Sequence, residues 1–219
     1  MKTKALGLTV IAILVVVFGV VTPVLPAQAA QKVKITVYLA ALPVKAEAKQ
    51  SRYDRDLFPH WLSQNGCDTR ARVLIAESLV KAKTNSNCTV ISGKWKNLYD
   101  NTVTTNPRSL DIDHRVPLAE AWRSGAHSWT TARRARFAND TGSAHTLEAV
   151  PASLNRSKSD DDPAAWLPPR NRCDYARKWI IVKYRWGLSV DKYEKASLNR
   201  ELKTCTAKQL LVDKRSPVK

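Results

Sequence analysis

The stretch LDIDHRVPLAEAW, residues 110–122, decides how the rest of this chain is read. Leu110 and Ile112 alternate with Asp111 and Asp113, the period of a strand with one apolar face. The two apolar residues then face the core and both carboxylates face the other way. His114 follows, where the strand gives way to a loop before Pro117. Four residues thus gather oxygen donors suited to a hard cation and an imidazole that accepts a proton near neutral pH. A capped turn with a surface histidine explains the tetrapeptide equally well, so its meaning rests on the remainder of the chain.

The second informative piece is SLNRSKSDDDP, residues 153–163. Asn155 and Lys158 stand three apart and share one face if the segment is helical. An amide oxygen from Asn155 can complete a cation site, and the Lys158 ammonium can meet a phosphate. An ordinary solvated helix end accounts for the same residues. Asp160, Asp161 and Asp162 read as capping and solvated groups.

Charge narrows the class of partner. The 219 residues carry 36 Lys and Arg against 19 Asp and Glu, a net +17. Such a surplus attracts polyanions: nucleic acid, anionic lipid or acidic glycans. The first residues have a purpose of their own. Lys2 and Lys4 precede an uncharged apolar run over residues 5–24, broken by Pro23 and Pro26, and Ala27-Gln28-Ala29 supplies small residues for cleavage. Residues 1–29 therefore read as a secretory signal peptide, with an uncleaved anchor as the competing reading. Cleavage leaves a chain near +15, with no later stretch able to cross a membrane and a destination outside the cell. Export implies oxidising conditions, so Cys67, Cys88, Cys173 and Cys205 form two disulfides by default. Of the three pairings, Cys67–Cys88 and Cys173–Cys205 close local loops and are preferred, each contributing on the order of 3 kcal/mol. A zinc site is disfavoured because no C-x-x-C or His/Cys cluster is present.

Residues 31–42 alternate in part and suggest an edge strand, and residues 43–51 a linker. Residues 30–51 are thus an N-terminal segment, 52–206 the compact domain, and 207–219 a loose basic tail. Within the domain, Asp68 or Thr69 caps a helix running to Lys83, and TVISGKWKNLY, residues 89–99, suggests a hairpin about Ser92-Gly93. Short helices are expected over 117–123, from Ser128 or Thr130, and over 152–158, with a strand over 144–150 between the last two. Asp162-Pro163 signals another helix start, residues 173–186 form a long helix closed by Gly187, and Asp191 caps a last one through Leu202. The fold class is α+β, mostly helical, in a single domain.

D-x-D-H-x-x-P followed some forty residues later by N-R-x-K-S-D resembles the HNH, or ββα-metal, endonuclease motif, including the HNH domain of RNA-guided CRISPR effectors. The chain is more closely similar to exported actinobacterial HNH proteins classed with the C-terminal domain of GmrSD-type restriction nucleases. Their motifs have counterparts here in the same order: YDRDLFPHW, GCDTR, DIDHRVPLAEAWRSGA, RFAND, LNRSKSDDDPAAWLPP and VKYRWGL. The resemblance spans residues 39–205 and implies a ββα-metal core stapled by the two disulfides.

It also implies roles. His114 matches the general base, Asp113 and Asn155 the metal ligands, Asp111 an accompanying carboxylate, and Lys158 the basic residue after the asparagine. The middle asparagine of H-N-H, which braces the histidine loop in relatives, falls on Thr146, whose hydroxyl offers a weaker brace. His145 beside it reads as structural. An oxygen-only ligand set points to Mg²⁺, with Mn²⁺ or Ca²⁺ as alternatives. The implied substrate is nucleic acid, DNA ahead of RNA, cut to 5′-phosphate ends. Arg52, Arg55, Arg70, Arg72, Arg115 and Arg156, with the Arg133-Arg134-Arg136 run, are candidates to contact phosphates, each also explicable as a solvated surface residue. Trp61, Trp122, Trp129, Trp166, Trp179 and Trp186 read as core. Two further readings stay open: a non-catalytic module holding DNA or wall polymers, and a toxin with an immunity protein as partner.

Overall fold

A computed structural model describes residues 31–214, 217 and 218; the expected signal peptide lies outside them. Residues 31–219 form one compact unit of mixed α/β structure. Among the described residues, seven α-helices surround four two-stranded antiparallel sheets. In chain order the elements are β1 (Lys32–Lys34), α1 (Ile35–Ala41), α2 (Thr69–Glu77), β2 (Lys83–Thr84), β3 (Val90–Ser92), β4 (Trp95–Lys96), β5 (Val103–Thr104) and β6 (Leu110–His114). There follow α3 (Leu118–Arg123), α4 (Thr131–Ala138), β7 (Leu147–Pro151), α5 (Ala152–Lys158), α6 (Arg172–Trp186), α7 (Lys192–Leu202) and β8 (Leu211–Asp213). None of the helices is long and apolar enough to cross a membrane.

The β6–β7 ribbon organises the site. Leu110 pairs with Pro151 and His114 with Leu147, in unbroken register. On one face Leu110, Ile112, Leu147 and Ala149 pack with Val73, Leu74 and Trp95 into a small core. The other face carries Asp111 and Asp113 and turns toward α5, which starts at the residue after β7. Val150, opposite Asp111, joins the larger core built on α6 (Trp179, Ile180, Val182, Trp186) with α1, α3, α4 and α7. Each of these side chains gains about 1.5–3 kcal/mol on full burial. Three of those helices are also pinned by charge: Lys183 on α6 lies 2.7 Å from both Glu120 on α3 and Glu194 on α7, all three buried.

Local signals account for most element ends. Asp68 accepts from the Ala71 N–H at the start of α2, and Thr130 from Arg133 at the start of α4. Asp191 and Glu194 form a reciprocal capping box on α7. Gly187 ends α6 at φ 67°, a left-handed conformation that glycine adopts without strain. The disulfides join Cys67 to Cys88 and Cys173 to Cys205, as the local-loop argument expects.

Several expectations are corrected. The helix from Asp68 stops at Glu77 because the Leu79 N–H bonds the Lys94 carbonyl, which leaves Leu79 and Val80 exposed. The strands at 90–96 do not pair about Gly93. β3 pairs with β2, across a turn where Asn85 accepts from the Asn87 and Thr89 N–H groups, and β4 pairs with β5. Gly93 instead lets the Trp95 indole close in, since a Cβ there would lie 2.4 Å from the ring. Asp162 caps a turn, not a helix. Residues 31–42 form only a three-residue strand before turning helical, and β8, in the region read as a tail, pairs with that strand.

One edge contact has a measurable consequence. The half-buried Glu77 side chain accepts from the Ala149 N–H at 2.8 Å, covering the open edge of β7. Burial pushes its carboxyl up to about 7 from 4.5, against the pull of that N–H. The folded chain therefore holds a proton between about pH 4.5 and 7 that the unfolded chain releases, so stability falls as pH rises through that window. A glutamine keeps the acceptor without the charge. Glu77→Gln is expected to melt several degrees above the parent at pH 8 and level with it near pH 4.5. Equal melting shifts at both pH values, read by circular dichroism, would refute the role.

Candidate active site

His114 is the last residue of β6, and its ring is buried between Trp61 and Phe137, with centroids 5.8 and 6.3 Å away. Its Nε2 lies 2.9 Å from the Ala138 carbonyl at the end of α4. A carbonyl only accepts, so Nε2 carries the proton and Nδ1 the lone pair. Nδ1 has no protein partner and is not sealed from solvent. Burial pushes the imidazole down to about 4, so it is neutral at pH 7 and free to take a proton.

The brace expected from Thr146 is present in another form. The Thr146 carbonyl accepts the Arg115 N–H at 2.9 Å, fixing the residue after His114. Its buried hydroxyl donates to Asp140 at 2.9 Å. Asp140 is held in turn by Arg185 through two bonds of 2.8 and 3.0 Å and by the Trp186 indole at 3.1 Å. The loop between α4 and β7 is therefore tied at both ends, one of which holds His114. His145 lines a separate depression with Lys32 and Asp174.

Asp113 is 4% exposed. Lys158 Nζ lies 2.6 Å from one of its oxygens, and the Tyr99 hydroxyl donates to the other. Lys158 also donates to the His114 carbonyl at 2.8 Å. Burial holds the Tyr99 phenol well above its ordinary value, so it stays an O–H donor. Burial also lowers Lys158, which the Asp113 charge opposes. Two expectations change here. Lys158 is fully buried and bonded to β6, so from this position its ammonium does not reach a phosphate. Arg115 is buried against Glu148, with its guanidinium over the Tyr99 and Tyr175 rings, and does not reach nucleic acid either. Both basic residues hold the floor of the site. Tyr99 itself had no sequence signal, since it lies fourteen positions from Asp113 in an unremarkable turn.

Asn155 and Asp111 meet across the ribbon and α5, with Asn155 Nδ2 3.2 Å from Asp111 Oδ2. That bond uses the amide nitrogen, which leaves the Asn155 Oδ1 as an acceptor. Asp113, His114 and Asn155 line one cleft of about 230 Å³, with Arg55, Ser159 and Asp160 on its rim. Ser159 ends α5 at φ 50°, a conformation costly for a residue with a Cβ, and this turn brings Asp160 to the cleft. The donors are a carboxylate and an amide oxygen, with Asp111 bonded to the amide: a hard set that fits Mg²⁺, Mn²⁺ or Ca²⁺ better than zinc. A separate carboxylate trio, Glu47, Asp162 and Asp191, does not line this cleft; Glu47 pairs with Arg123 and Asp191 caps α7. Of the other arginines, Arg70 is half-buried and bonds the Pro107 and Leu110 carbonyls, whereas Arg156 is exposed on α5.

Removing one partner of a buried ion pair leaves the other charge stranded, at about 3–5 kcal/mol. Lys158→Met is expected to lose stability on that scale in chemical denaturation. Adding Asp113→Asn should recover part of the loss, because the stranded charge is then gone. Additive losses in this double-mutant cycle would mean the pair is not coupled.

Residues 68–201 match the family described as GmrSD restriction endonucleases, C-terminal domain. Over 170 residues the chain is 41% identical to an uncharacterized secreted protein of Arthroderma benhamiae, covering 76% of this chain and 82% of that protein. No solved structure matches it. The chain belongs to the family of the GmrSD restriction endonuclease C-terminal domain.

Proposed function

We propose that this protein is a secreted, metal-dependent HNH endonuclease that hydrolyses DNA with little sequence preference. One observation carries the reading: His114, whose Nε2 is committed to the Ala138 carbonyl so that Nδ1 keeps its lone pair, lines one cleft with Asp113 and Asn155. β6 and β7, paired though α3 and α4 stand between them in the chain, are followed directly by α5, an arrangement that supports a ββα-metal reading, and Asp111, Asp113, His114 and Asn155 lie on these elements. Membership of a restriction-endonuclease family supports phosphodiester chemistry. Two disulfides and similarity to a protein named as secreted support export.

In this reading Asp113 and the Asn155 amide oxygen hold a divalent cation, most simply Mg²⁺, which supplies Lewis-acid stabilisation to the phosphate when bound. His114 Nδ1 takes a proton from water as the water oxygen bonds to phosphorus. The bond from phosphorus to the 3′-oxygen breaks, and that oxygen leaves to be protonated by solvent. The products are a 5′-phosphate and a 3′-hydroxyl. Lys158, Tyr99 and Asp111 orient the two ligand side chains. The net charge and the exposed Arg156 favour a polyanionic substrate held through its phosphates, so binding weakens steeply with salt.

The purified protein is expected to nick and then degrade plasmid DNA with Mg²⁺, and to stop on addition of chelator. His114→Ala should lower the rate about 10²–10⁴-fold, the usual worth of a positioned base. A His114→Ala protein that digests at the parental rate would remove His114 from the chemistry. DNA binding without cleavage under any divalent cation would favour a binding module instead.

A further inference from the structure

Among the described residues that line the cleft, one carries a cationic side chain, Arg55 of the YDRDLFPHW stretch. Arg55 lines the cleft with Asp113, His114 and Asn155. The expectation from sequence put a lysine, Lys158, on the phosphate, and the structure buries that lysine under Asp113. Beside the cation held by Asp113 and Asn155, an anionic phosphodiester in a cleft that also carries Asp160 gains from a second positive charge on the open side.

Arg55 is built to supply it. Its backbone is fixed in a short 3₁₀ turn, residues Arg55–Leu57, capped by Asp54, which accepts from the Asp56 N–H at 2.9 Å. Phe58 anchors the end of the turn, fully buried against Tyr53 and Phe137. The following residues are strapped to α4, where Asn139 donates to the Pro59 carbonyl at 2.8 Å and accepts from Leu62 at 2.9 Å. The Arg55 side chain, by contrast, is exposed and takes part in none of the hydrogen bonds or ion pairs that the described residues make around it. A held backbone with an uncommitted guanidinium at the mouth of an acidic cleft is the arrangement of a ligand contact, since a structural arginine spends its donors on the protein, as Arg134 does on the Leu57 and Trp129 carbonyls.

We propose that Arg55 is a catalytic residue that binds the scissile phosphate, its guanidinium fork donating to non-bridging oxygens across the cleft from Asp113 and Asn155. This rests on the nuclease reading above. The non-bridging oxygens gain charge as water adds to phosphorus, so the contact strengthens in the transition state and belongs in kcat more than in KM. A lysine keeps the charge and loses the two-pronged geometry.

The experiment compares plasmid cleavage by the parent, Arg55→Ala and Arg55→Lys with Mg²⁺. Binding of a short fluorescent duplex is measured alongside, in chelator, on His114→Ala with and without Arg55→Ala. Arg55→Ala is expected to lose about a hundredfold in kcat, with Arg55→Lys between it and the parent. It should melt within a degree or two of the parent, because no protein bond is removed. Added guanidinium ion should restore part of the Arg55→Ala rate and leave the parent unaffected. A parent that cleaves and an Arg55→Ala that matches its kcat overturn the assignment alone, and weaker duplex binding with unchanged kcat reduces Arg55 to a general phosphate contact. A parent that cleaves nothing overturns the nuclease reading and this assignment with it.

Discussion

The buried contact between Lys158 and Asp113 is the constraint on which the site depends. It joins the last residue of α5 to the strand that bears His114, and the same ammonium reaches the His114 carbonyl. A helix following directly on an antiparallel ribbon has a free choice of tilt. A buried ion pair removes it, because any tilt that parts the charges strands both in an apolar interior. The angle so set brings Asn155, one turn earlier on α5, across to Asp111 and into the cleft. Tyr99 and the buried Arg115–Glu148 pair complete the floor beneath.

His114 has a second support besides Lys158. The α4 carbonyl at Ala138 fixes its tautomer, and the loop from α4 to β7 is closed by Asp140 with Thr146, Arg185 and Trp186. The histidine thus shares the ribbon and Lys158 with the oxygen donors and is braced in addition from α4 and α6. The larger core, the Lys183 network and the Cys173–Cys205 bridge keep the latter helices in place. At Thr146 the backbone carbonyl accepts the Arg115 N–H and the hydroxyl donates to Asp140, which ties the loop before β7.

Much of this was legible in the sequence, and for physical reasons. The alternation Leu110-Asp111-Ile112-Asp113 fits a strand with its carboxylates together, and β6 is that strand. Asp68, Thr130 and Asp191 as caps and Gly187 as a stop placed the ends of four helices, and α5 occupies the residues expected of it. These signals are local: a cap or a period acts within one turn or a few residues of strand. The errors fell where the partner was distant. The hairpin about Gly93 gave way to two other pairings, β3 with β2 and β4 with β5, whose partners lie outside the segment. The 31–42 segment turned helical because Tyr38 and Leu39 are buried against the larger core.

By itself the sequence determined that β6 would carry two carboxylates and a histidine, that an asparagine would follow on a short helix, and that four cysteines would close two local loops. Only the tertiary structure decided what each polar group does with its neighbours. It turned Lys158 and Arg115 inward as counter-charges, supplied Tyr99 from an unmarked turn, and left Arg55 free at the mouth of the cleft. The reason is that charge alone does not say whether a basic side chain meets solvent, substrate or a buried carboxylate. That choice is made by desolvation, which depends on what the fold packs around the group.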